Sequence, residues 1–213
     1  MGDRALTWWI QQFLGFLAYV FVVLPYVRRI EGQLPRSRRV YVCNHVSLLD
    51  TIVLGGIFWS RRRVPILVLG DRATWGESLL RRLLSSRVGY LIERDRPSSR
   101  ERLEALHRFA RRIDRFHLIV FPEGTRGDGT RVQECQPGIH KVALSAGVPL
   151  VPVAIRNMQA VSTKGGRFRP LAGLRRVTVR FGEEFGVAGA DRDAFVATVR
   201  ERIRDLLDPS YGA

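Results

Sequence analysis

Cysteine and lysine are both scarce in this sequence. Its 213 residues contain only Cys43 and Cys135, without CxxC spacing, which argues against a disulfide framework or a zinc site and fits a reducing compartment. Of the 35 basic residues only Lys141 and Lys164 are lysines. Acidic residues number just 20, so the formal net charge is +15. The resulting positive field favours anionic partners: nucleic acid, phospholipid headgroups or phosphorylated small molecules.

Sequence motifs of nucleic-acid binding are missing as well. No helix-turn-helix, zinc-finger or RNA-binding signature is recognisable, and nucleic-acid binding would leave the apolar segment near the N-terminus without a use. The chain also lacks internal repeats and any linker long enough to separate two domains. With 46% hydrophobic residues it is far from the disordered regime, and its length suits one α/β domain with an appendage.

Charge is absent from residues 5–27, "ALTWWIQQFLGFLAYVFVVLPYV". As a helix this segment would extend about 35 Å, enough to cross a bilayer core of ~30 Å. Pro25 bends or ends such a helix, so insertion into one leaflet fits the pattern as well as a span does. Trp8 and Trp9 suit the headgroup level of a membrane. The alternative, a buried core helix, fits this length and aromatic content less well.

Arginines follow the apolar segment, whereas only Arg4 precedes it. A signal peptide has the opposite order of charge, and the positive-inside tendency places the rest of the chain on the cytoplasmic side. We therefore predict a membrane-associating segment over residues 1–30 and an α/β domain over residues 31–213, located on the cytoplasmic side of the cell membrane. The flanking arginines are Arg28, Arg29, Arg36, Arg38 and Arg39.

Short apolar runs alternate with amphipathic ones through the rest of the chain. Most runs are continuous, as expected for strands covered on both faces. This alternation predicts an α/β fold with a mostly parallel central sheet flanked by helices, preceded by an N-terminal membrane-docking helical segment. Predicted strands cover 38–43, 64–69, 88–92, 117–121, 148–155 and 175–181, and predicted helices cover 47–59, 76–86, 98–113, 138–146 and 191–207.

Three of these strands end next to residues that could carry chemistry. His45 follows the first strand in "VYVCNHVSLLD" (residues 40–50), Arg94 follows the third in "GYLIERDR", and Glu123 and Arg126 follow the fourth in "FPEGTR". Ligands of open α/β sheets bind outside the carboxyl ends of the strands. We therefore expect a basic pocket at this edge that contains one potential base.

Asp50 lies five residues after His45, about 140° away around a regular helix. The two side chains can meet if His45 precedes the helix and Asp50 points back from the first helical turn. Ser47 followed by Asp50 also matches a capping box, so helix capping is the alternative role for Asp50. For His45 the alternative is a buried, hydrogen-bonded histidine.

The combination of motifs resembles one family. "NHVSLLD" has the Asn-His-x-x-x-x-Asp pattern, and "FPEGTR" the Glu-containing box, of the glycerolipid acyltransferases similar to bacterial 1-acyl-sn-glycerol-3-phosphate (lysophosphatidic acid) acyltransferase. "VGYLIER" resembles that family's intervening glycine-to-arginine block, and "GVPLVPVAI" resembles its last, Pro-containing strand. All four occur in the family's order across residues 44–155. The apolar N-terminus also resembles the family's membrane-docking helices.

The resemblance implies a reaction. His45 would be the general base that removes the proton from a glycerol hydroxyl as it attacks an acyl thioester, and Asp50 would hold the tautomer of the imidazole. The acyl donor would be acyl-CoA or acyl carrier protein, and the preferred acceptor 1-acylglycerol-3-phosphate in the membrane, giving phosphatidic acid. Neither a metal nor a further cofactor is expected.

The resemblance also implies substrate-binding residues around the base. Backbone amides of the turn at Glu123, Gly124 and Thr125 are the candidates for stabilising the oxyanion of the thioester. Arg94 and Arg126 would bind the acceptor's phosphate, which suits the geometry of guanidinium groups. Glu123 would orient Arg126 or the polar headgroup of the acceptor.

One departure from the family pattern leaves the acceptor open. The family usually places a Phe-Lys-x-Gly element after the second box, and here residues 136–138 read Gln-Pro-Gly. Lys141 lies one turn later and could contact the phosphate instead. Other lysolipids, including a lyso-aminolipid, are therefore alternative acceptors. Thioester hydrolysis and non-catalytic binding of anionic lipid are the remaining alternatives.

Overall fold

The computed structural model of the chain describes residues 2–62, 64–71, 89–92, 99–162, 168–187 and 191–208. Within these ranges helix α1 comprises Gly2–Ala18, a π-helical turn over Tyr19–Val23 and a last turn over Leu24–Tyr26. The other helices are α2 (Leu49–Arg62), α3 (Ser99–Ala110), α4 (Gly138–Ala146) and α5 (Arg192–Leu207). The strands are β1 (Val27–Glu31), β2 (Val40–Cys43), β3 (Ile66–Asp71), β4 (Gly89–Ile92), β5 (His117–Val120), β6 (Leu150–Arg156) and β7 (Val177–Phe181).

The described strands form one sheet in the order β1-β7-β6-β2-β5-β3-β4. Neighbours are parallel except β6 and β7, so β1 and β7 run against the other five strands. The carboxyl ends of β2 and β5 therefore lie side by side at one edge of the sheet. The predicted α/β fold, a mostly parallel sheet flanked by helices, is confirmed.

Strand β2 shows how the sheet is buried on both faces. Val40 and Val42 belong to one apolar cluster, which includes residues of α3, α4 and α5. Tyr41 and Cys43 belong to a second cluster, with residues of α2 and the end of α1. All four side chains are fully buried. Alternate residues of the strand thus face opposite layers of helices, which explains its continuous apolar sequence.

Helix α1 packs against α2 over much of its length. Gly15 lies so close to Trp59 that a Cβ on the glycine would come within 2.6 Å of the tryptophan side chain, and a Cβ on Gly56 would come within 2.8 Å of the α1 backbone. Gln11 adds two hydrogen bonds to the backbone of Ile66, from Nε2 to the carbonyl at 3.4 Å and from the amide to Oε1 at 3.2 Å. The helix is therefore part of the folded domain from Gln11 onward.

The opposite face of α1 is apolar and exposed. Residues Leu6–Tyr26 are long and apolar enough to cross a membrane, with a mean hydropathy of 1.5, and only 17% of the most apolar window is buried. A core helix of a soluble protein would be mostly buried, so this face speaks against the core-helix alternative. The exposed side chains are Leu6, Trp8, Trp9, Phe13, Phe16, Phe21 and Leu24, each 41–67% accessible.

Strand β1 is not among the predicted elements. The pair Arg28-Arg29 is typical of a charged membrane flank, and in the structure both arginines are exposed on a strand at the sheet edge, paired with β7. The predicted domain boundary at residue 30 falls inside this strand. The helix predicted over 76–86 lies outside the described residues, and each remaining predicted helix and strand corresponds to an observed element.

Candidate active site

His45 lies in the turn between β2 and α2, and its Nδ1 is 2.8 Å from Oδ2 of Asp50. The same carboxylate oxygen accepts hydrogen bonds from the N–H groups of Val46 at 2.7 Å and Ser47 at 2.8 Å. Asp50 is completely buried. Its second oxygen, Oδ1, has no hydrogen-bond partner within the described part of the chain. A single oxygen atom thus gathers three N–H donors.

This geometry contains both of the roles considered for Asp50. As in a capping box, its carboxylate receives the N–H of Ser47, while Ser47 Oγ accepts the N–H of Leu49 at 3.2 Å. A carboxylate in the first helical turn is also favoured by the helix dipole. With the same oxygen Asp50 holds the ring of His45. Capping and orientation therefore do not exclude each other here.

The hydrogen bond to Asp50 determines which nitrogen of His45 can act as a base. An ionised carboxylate only accepts hydrogen bonds, so the imidazole proton is assigned to Nδ1 and the lone pair to Nε2. The side chain is 15% exposed. Its ring stacks on Phe121, with centroids 4.1 Å apart and an angle of 19° between the planes. The ring is therefore held by two partners and keeps Nε2 available for a substrate proton.

Glu123 joins the turn that carries His45 to the turn that follows β5. One carboxylate oxygen accepts the N–H of His45 at 2.8 Å, and the other accepts the N–H of Gln133 at 3.0 Å. In return the N–H of Gly127 donates to the carbonyl oxygen of His45 at 2.7 Å. The two sequence motifs are thus connected by hydrogen bonds that fix the backbone of the histidine.

The carboxylate of Glu123 is almost completely buried. Burial raises its pKa above the ordinary value of 4.5, and the N–H donors of Gln133 and His45 partly oppose that shift. Among the described residues no hydrogen bond or ion pair joins Glu123 to Arg126. The geometry therefore gives Glu123 a positioning role toward His45, and the predicted orientation of Arg126 is not seen.

The turn after β5 also holds three other predicted residues. Gly124 has a φ of 69°, which glycine adopts without strain, and its N–H donates to the carbonyl of Phe121 at 3.0 Å. The amide of Gly124 is therefore bound within the turn and is not free to stabilise an oxyanion. The N–H groups of Glu123 and exposed Thr125 have no acceptor among the described residues. Arg126 is half-buried, and its guanidinium makes no hydrogen bond or ion pair in the described part of the chain.

Two further predicted phosphate ligands are less defined by the structure. Lys141 is half-buried in α4. The start of that helix is connected to the second motif, because the N–H of Gln136 donates to the carbonyl of Pro122 at 2.8 Å. Arg94 lies outside the described residues. Contact of either residue with a substrate stays a prediction.

Three residues that support the site are absent from the predicted set. Asn44 connects β2 to β6, since its side-chain amide donates to the carbonyl of Ile155 at 3.0 Å and accepts the N–H of Ile155 at 2.8 Å. Its place directly before the histidine was a usable signal, as was the place of Phe121 at the start of "FPEGTR". Nothing in the sequence marks Gln133, which contributes only its backbone.

A cleft of about 450 Å³ lies between α1 and α2, beside the histidine turn. Its walls are mostly apolar, and they include Leu48 and Thr51, which lie within two residues of the buried Asp50 in the sequence. His45 is not among the lining residues. A volume of this size is typical of sites for small molecules or chains. Other lining residues are Leu14, Phe21, Ile52, Gly55 and Trp59.

Comparison with known proteins defines the class. The model of the family described as Acyltransferase matches residues 27–156, which is more than half of the chain and contains both motifs. The chain belongs to this acyltransferase family, as the motifs predict.

Among its relatives is the lyso-ornithine lipid O-acyltransferase of Pseudomonas aeruginosa, which is 33% identical over 164 residues, covering 73% of this chain and 54% of that protein. The 1-acyl-sn-glycerol-3-phosphate acyltransferase of Cocos nucifera is 29% identical over 145 residues, covering 66% and 45%. The chain thus spans about half the length of these two relatives.

A similar fold is found in the crystal structure of the 1-acyl-sn-glycerophosphate acyltransferase of Thermotoga maritima. The TM-score is 0.67, with 21% sequence identity, over 97% of this chain and 82% of that one. At this identity the likeness concerns the fold.

Proposed function

We propose that the protein is a membrane-docked acyltransferase. It would move a fatty acyl group from an acyl thioester, acyl-CoA or acyl carrier protein, to the free hydroxyl of a lysolipid. The observation that carries the proposal is the pair His45 and Asp50, in which Nδ1 of the histidine is bound by the carboxylate and Nε2 is left available. Membership in the acyltransferase family supports the reaction type.

The residues supply a simple sequence of proton transfers. Nε2 of His45 accepts the proton of the acceptor hydroxyl as its oxygen attacks the thioester carbonyl carbon. The C–S bond then breaks, and the leaving thiolate takes the proton from the imidazolium. Asp50 stabilises that imidazolium through Nδ1. The products are an ester and a free thiol, so the step balances without an oxidant or reductant.

The first candidate for the acceptor is 1-acylglycerol-3-phosphate. Arg126 supports it, because a half-buried guanidinium without a partner in the described part of the chain is suited to a phosphate. The amides of Glu123 and Thr125, which have no acceptor among the described residues, would then stabilise the oxyanion. Arg94 and Lys141 are proposed as further phosphate contacts.

A lyso-ornithine lipid is the second candidate. The Pseudomonas aeruginosa relative carries that name, and the chain lacks the lysine of the Phe-Lys-x-Gly element. An aminolipid headgroup carries no phosphate, so it would need fewer cationic ligands. Binding of 1-acylglycerol-3-phosphate would depend on Arg126, whereas binding of a lyso-ornithine lipid would not.

The packing of α1 supports docking in one leaflet of the membrane instead of a span. The helix contacts the domain from Gln11 to Val23, about 18 Å of its length. A spanning orientation would draw the polar surface of the domain into hydrocarbon, at a cost of several kcal/mol for each unsatisfied group. We place the domain on the cytoplasmic side, because arginines follow the apolar segment.

The test is an acyl-transfer reaction with the purified full chain in mixed micelles. Two labelled acyl donors, acyl-CoA and acyl carrier protein loaded with the acyl group, are each offered with a set of acceptors. The acceptors are lysophosphatidate, lyso-ornithine lipid and other lysolipids, and the products are identified by mass. Transfer to a lysolipid that is lost in His45→Ala is the expected result. Release of free fatty acid without transfer would identify a thioesterase, and lipid binding without turnover would identify a non-catalytic relative.

A further inference from the structure

A second apolar surface lies far from α1 in sequence. Phe168, Leu171 and Leu174 are 52%, 83% and 46% exposed, in a turn that precedes β7. The turn itself is firmly built. Gly173 lies so close to Val161 that a Cβ would come within 2.6 Å of it. Three large apolar side chains are therefore presented to solvent by a well-packed backbone.

This surface is also basic. No Asp or Glu occurs between Glu134 and Glu183. Arg169 and Arg176 are exposed beside the apolar side chains, and neither guanidinium is paired among the described residues. Apolar side chains rimmed by unpaired arginines are suited to the boundary between the headgroups and acyl chains of an anionic leaflet.

The surface continues the exposed face of α1. The ring of Tyr26 contacts the ring of Phe168, with centroids 5.9 Å apart. Arg175 ties the turn to the end of the helix: its N–H donates to the carbonyl of Pro25 at 2.9 Å, and its guanidinium donates to the carbonyl of Leu24 at 3.2 Å. The two apolar surfaces therefore adjoin at the last turn of α1.

The same segment is connected to the active-site turn. The Oγ atoms of Ser47 and Ser162 are 2.9 Å apart, and Ser162 pairs with Phe168 in an isolated antiparallel bridge. The N–H of Arg169 donates to the carbonyl of Val161 at 2.8 Å. These few hydrogen bonds connect the exposed turn to the residues that hold His45.

We propose that residues 168–176 form a second membrane-contacting surface, which enters the same anionic leaflet as α1 and holds the active-site turn at the lipid boundary. The inference rests on the proposed membrane docking and adds a site to it. The occupant is a lipid leaflet, because the described arginines beside the apolar side chains, Arg169 and Arg176, are exposed, and the apolar part is continuous with the exposed face of α1.

The first experiment measures insertion directly. Cys43 and Cys135 are both buried, so Leu171→Cys offers a single accessible thiol for an environment-sensitive fluorophore. The matched control is Leu103→Cys, at a leucine that is 48% exposed on α3, against the opposite face of the sheet. Vesicles of phosphatidylcholine with phosphatidylglycerol should shift the emission of the label at 171 to the blue, and lipid-borne quenchers should reduce it.

The emission of the control label at position 103 should change neither with the vesicles nor with the lipid-borne quenchers. Equal responses at positions 171 and 103, or no response at 171 while the protein is bound to the vesicles, would overturn the proposal. The second outcome would leave docking through α1 intact, and therefore the proposed function as well.

The second experiment compares two double variants by co-sedimentation with vesicles. Leu171→Gln with Leu174→Gln should weaken partitioning by about tenfold or more. Leu103→Gln with Leu144→Gln, which changes two similarly exposed leucines on α3 and α4, should leave it unchanged. Arg169→Ser with Arg176→Ser should weaken binding to anionic vesicles only, and less so at high salt.

Two readouts separate a membrane surface from other roles. Acyl transfer to a short-chain, water-soluble acceptor should be the same in wild type and the leucine variant, whereas the KM for an acceptor embedded in vesicles should rise in the variant. If a wild-type dimer in detergent became a monomer in the leucine variant, the surface would be an interface between copies, and the membrane assignment would be wrong.

Discussion

Replacing Asp50 by Asn should slow acyl transfer by roughly 30- to 1000-fold, because the variant keeps the geometry of the site and loses its charge. In the structure all three N–H donors converge on Oδ2. The amide oxygen of Asn can take that position and accept all three. The backbone N–H groups of Val46 and Ser47 also prevent the amide from turning its NH₂ group inward. The tautomer of His45 is therefore retained in the variant.

The magnitude follows from the imidazolium that forms when His45 takes the proton. A carboxylate about 4 Å from its charge centre stabilises it by about 4 kcal/mol at an effective dielectric constant of ~20. The neutral hydrogen bond that replaces it recovers about 1 kcal/mol. The net loss, about 2–4 kcal/mol, gives the expected factor. The new NH₂ group occupies the buried position of Oδ1, which has no partner among the described residues, so stability should fall by about 1–3 kcal/mol.

The measurement is kcat/KM for acyl transfer, with thermal unfolding in parallel. Asp50→Ala is the companion variant. It removes the acceptor of two backbone N–H groups and of the ring, so it should lose more activity and more stability than Asp50→Asn. Activity of Asp50→Asn within about fivefold of wild type would refute the charge argument. A loss well beyond about 1000-fold would exceed what the lost charge explains, and would show that the tautomer is not held by the backbone donors.

Four further predictions concern the base, the phosphate ligand, the buried glutamate and the packing of α1. His45→Ala should lower kcat by about 10²–10⁴ without changing vesicle binding, and near-normal turnover would remove His45 from the mechanism. Arg126→Ala should raise the KM for a phosphorylated acceptor by about tenfold or more and leave the KM for acyl-CoA unchanged; equal changes for both substrates would contradict a phosphate contact. Burial raises the pKa of Glu123, so the folded state holds this proton more tightly than the unfolded chain does. Urea unfolding across pH should therefore show wild type losing stability relative to Glu123→Gln as pH rises from about 4.5 through the folded-state pKa, and parallel curves would refute this. Gly55→Ala should be neutral or stabilising by up to about 1 kcal/mol, because its Cβ would meet Ile66 at 3.6 Å, whereas Gly56→Ala should destabilise by about 1–3 kcal/mol through contact with α1; unfolding curves that rank the two variants the other way would contradict this packing of α1 on α2.

The layered fold and the contact between His45 and Asp50 could be predicted from the sequence, because both depend on patterns among residues that are close together in the chain. Continuous apolar runs such as that of β2 indicate strands covered on both faces, and a capping-box spacing brings residue 50 back toward residue 47. The edge strand β1 could not be predicted. Its two exposed arginines carry no strand pattern, and its partner β7 lies far away in the sequence. The reversed direction of β7 likewise depends on packing that no local pattern encodes.

The role of Glu123 shows a different limit. A glutamate in a basic motif predicts an ion pair with arginine, yet its carboxylate accepts two backbone N–H groups, from His45 and Gln133. Backbone N–H donors are present at every residue except proline, so the sequence does not mark the ones that the carboxylate binds. The place of Phe121 at the start of "FPEGTR" associates it with the motif, but the sequence does not show that its ring stacks on His45, because an aromatic residue at the end of a strand usually belongs to the core.

The pairing of β1 with β7 has a consequence for synthesis of the protein. Val27 pairs with Val177, so the partner of the first strand is translated about 150 residues later. At roughly 5–20 residues per second the ribosome needs about 8–30 s to reach it. Helix α1 precedes β1 directly, and its binding site on α2 emerges much earlier. During this interval the nascent chain exposes an apolar helix followed by an unpaired strand. A lipid surface close to the ribosome would cover the helix before the sheet is complete, so membrane contact would come first and closure of the fold second.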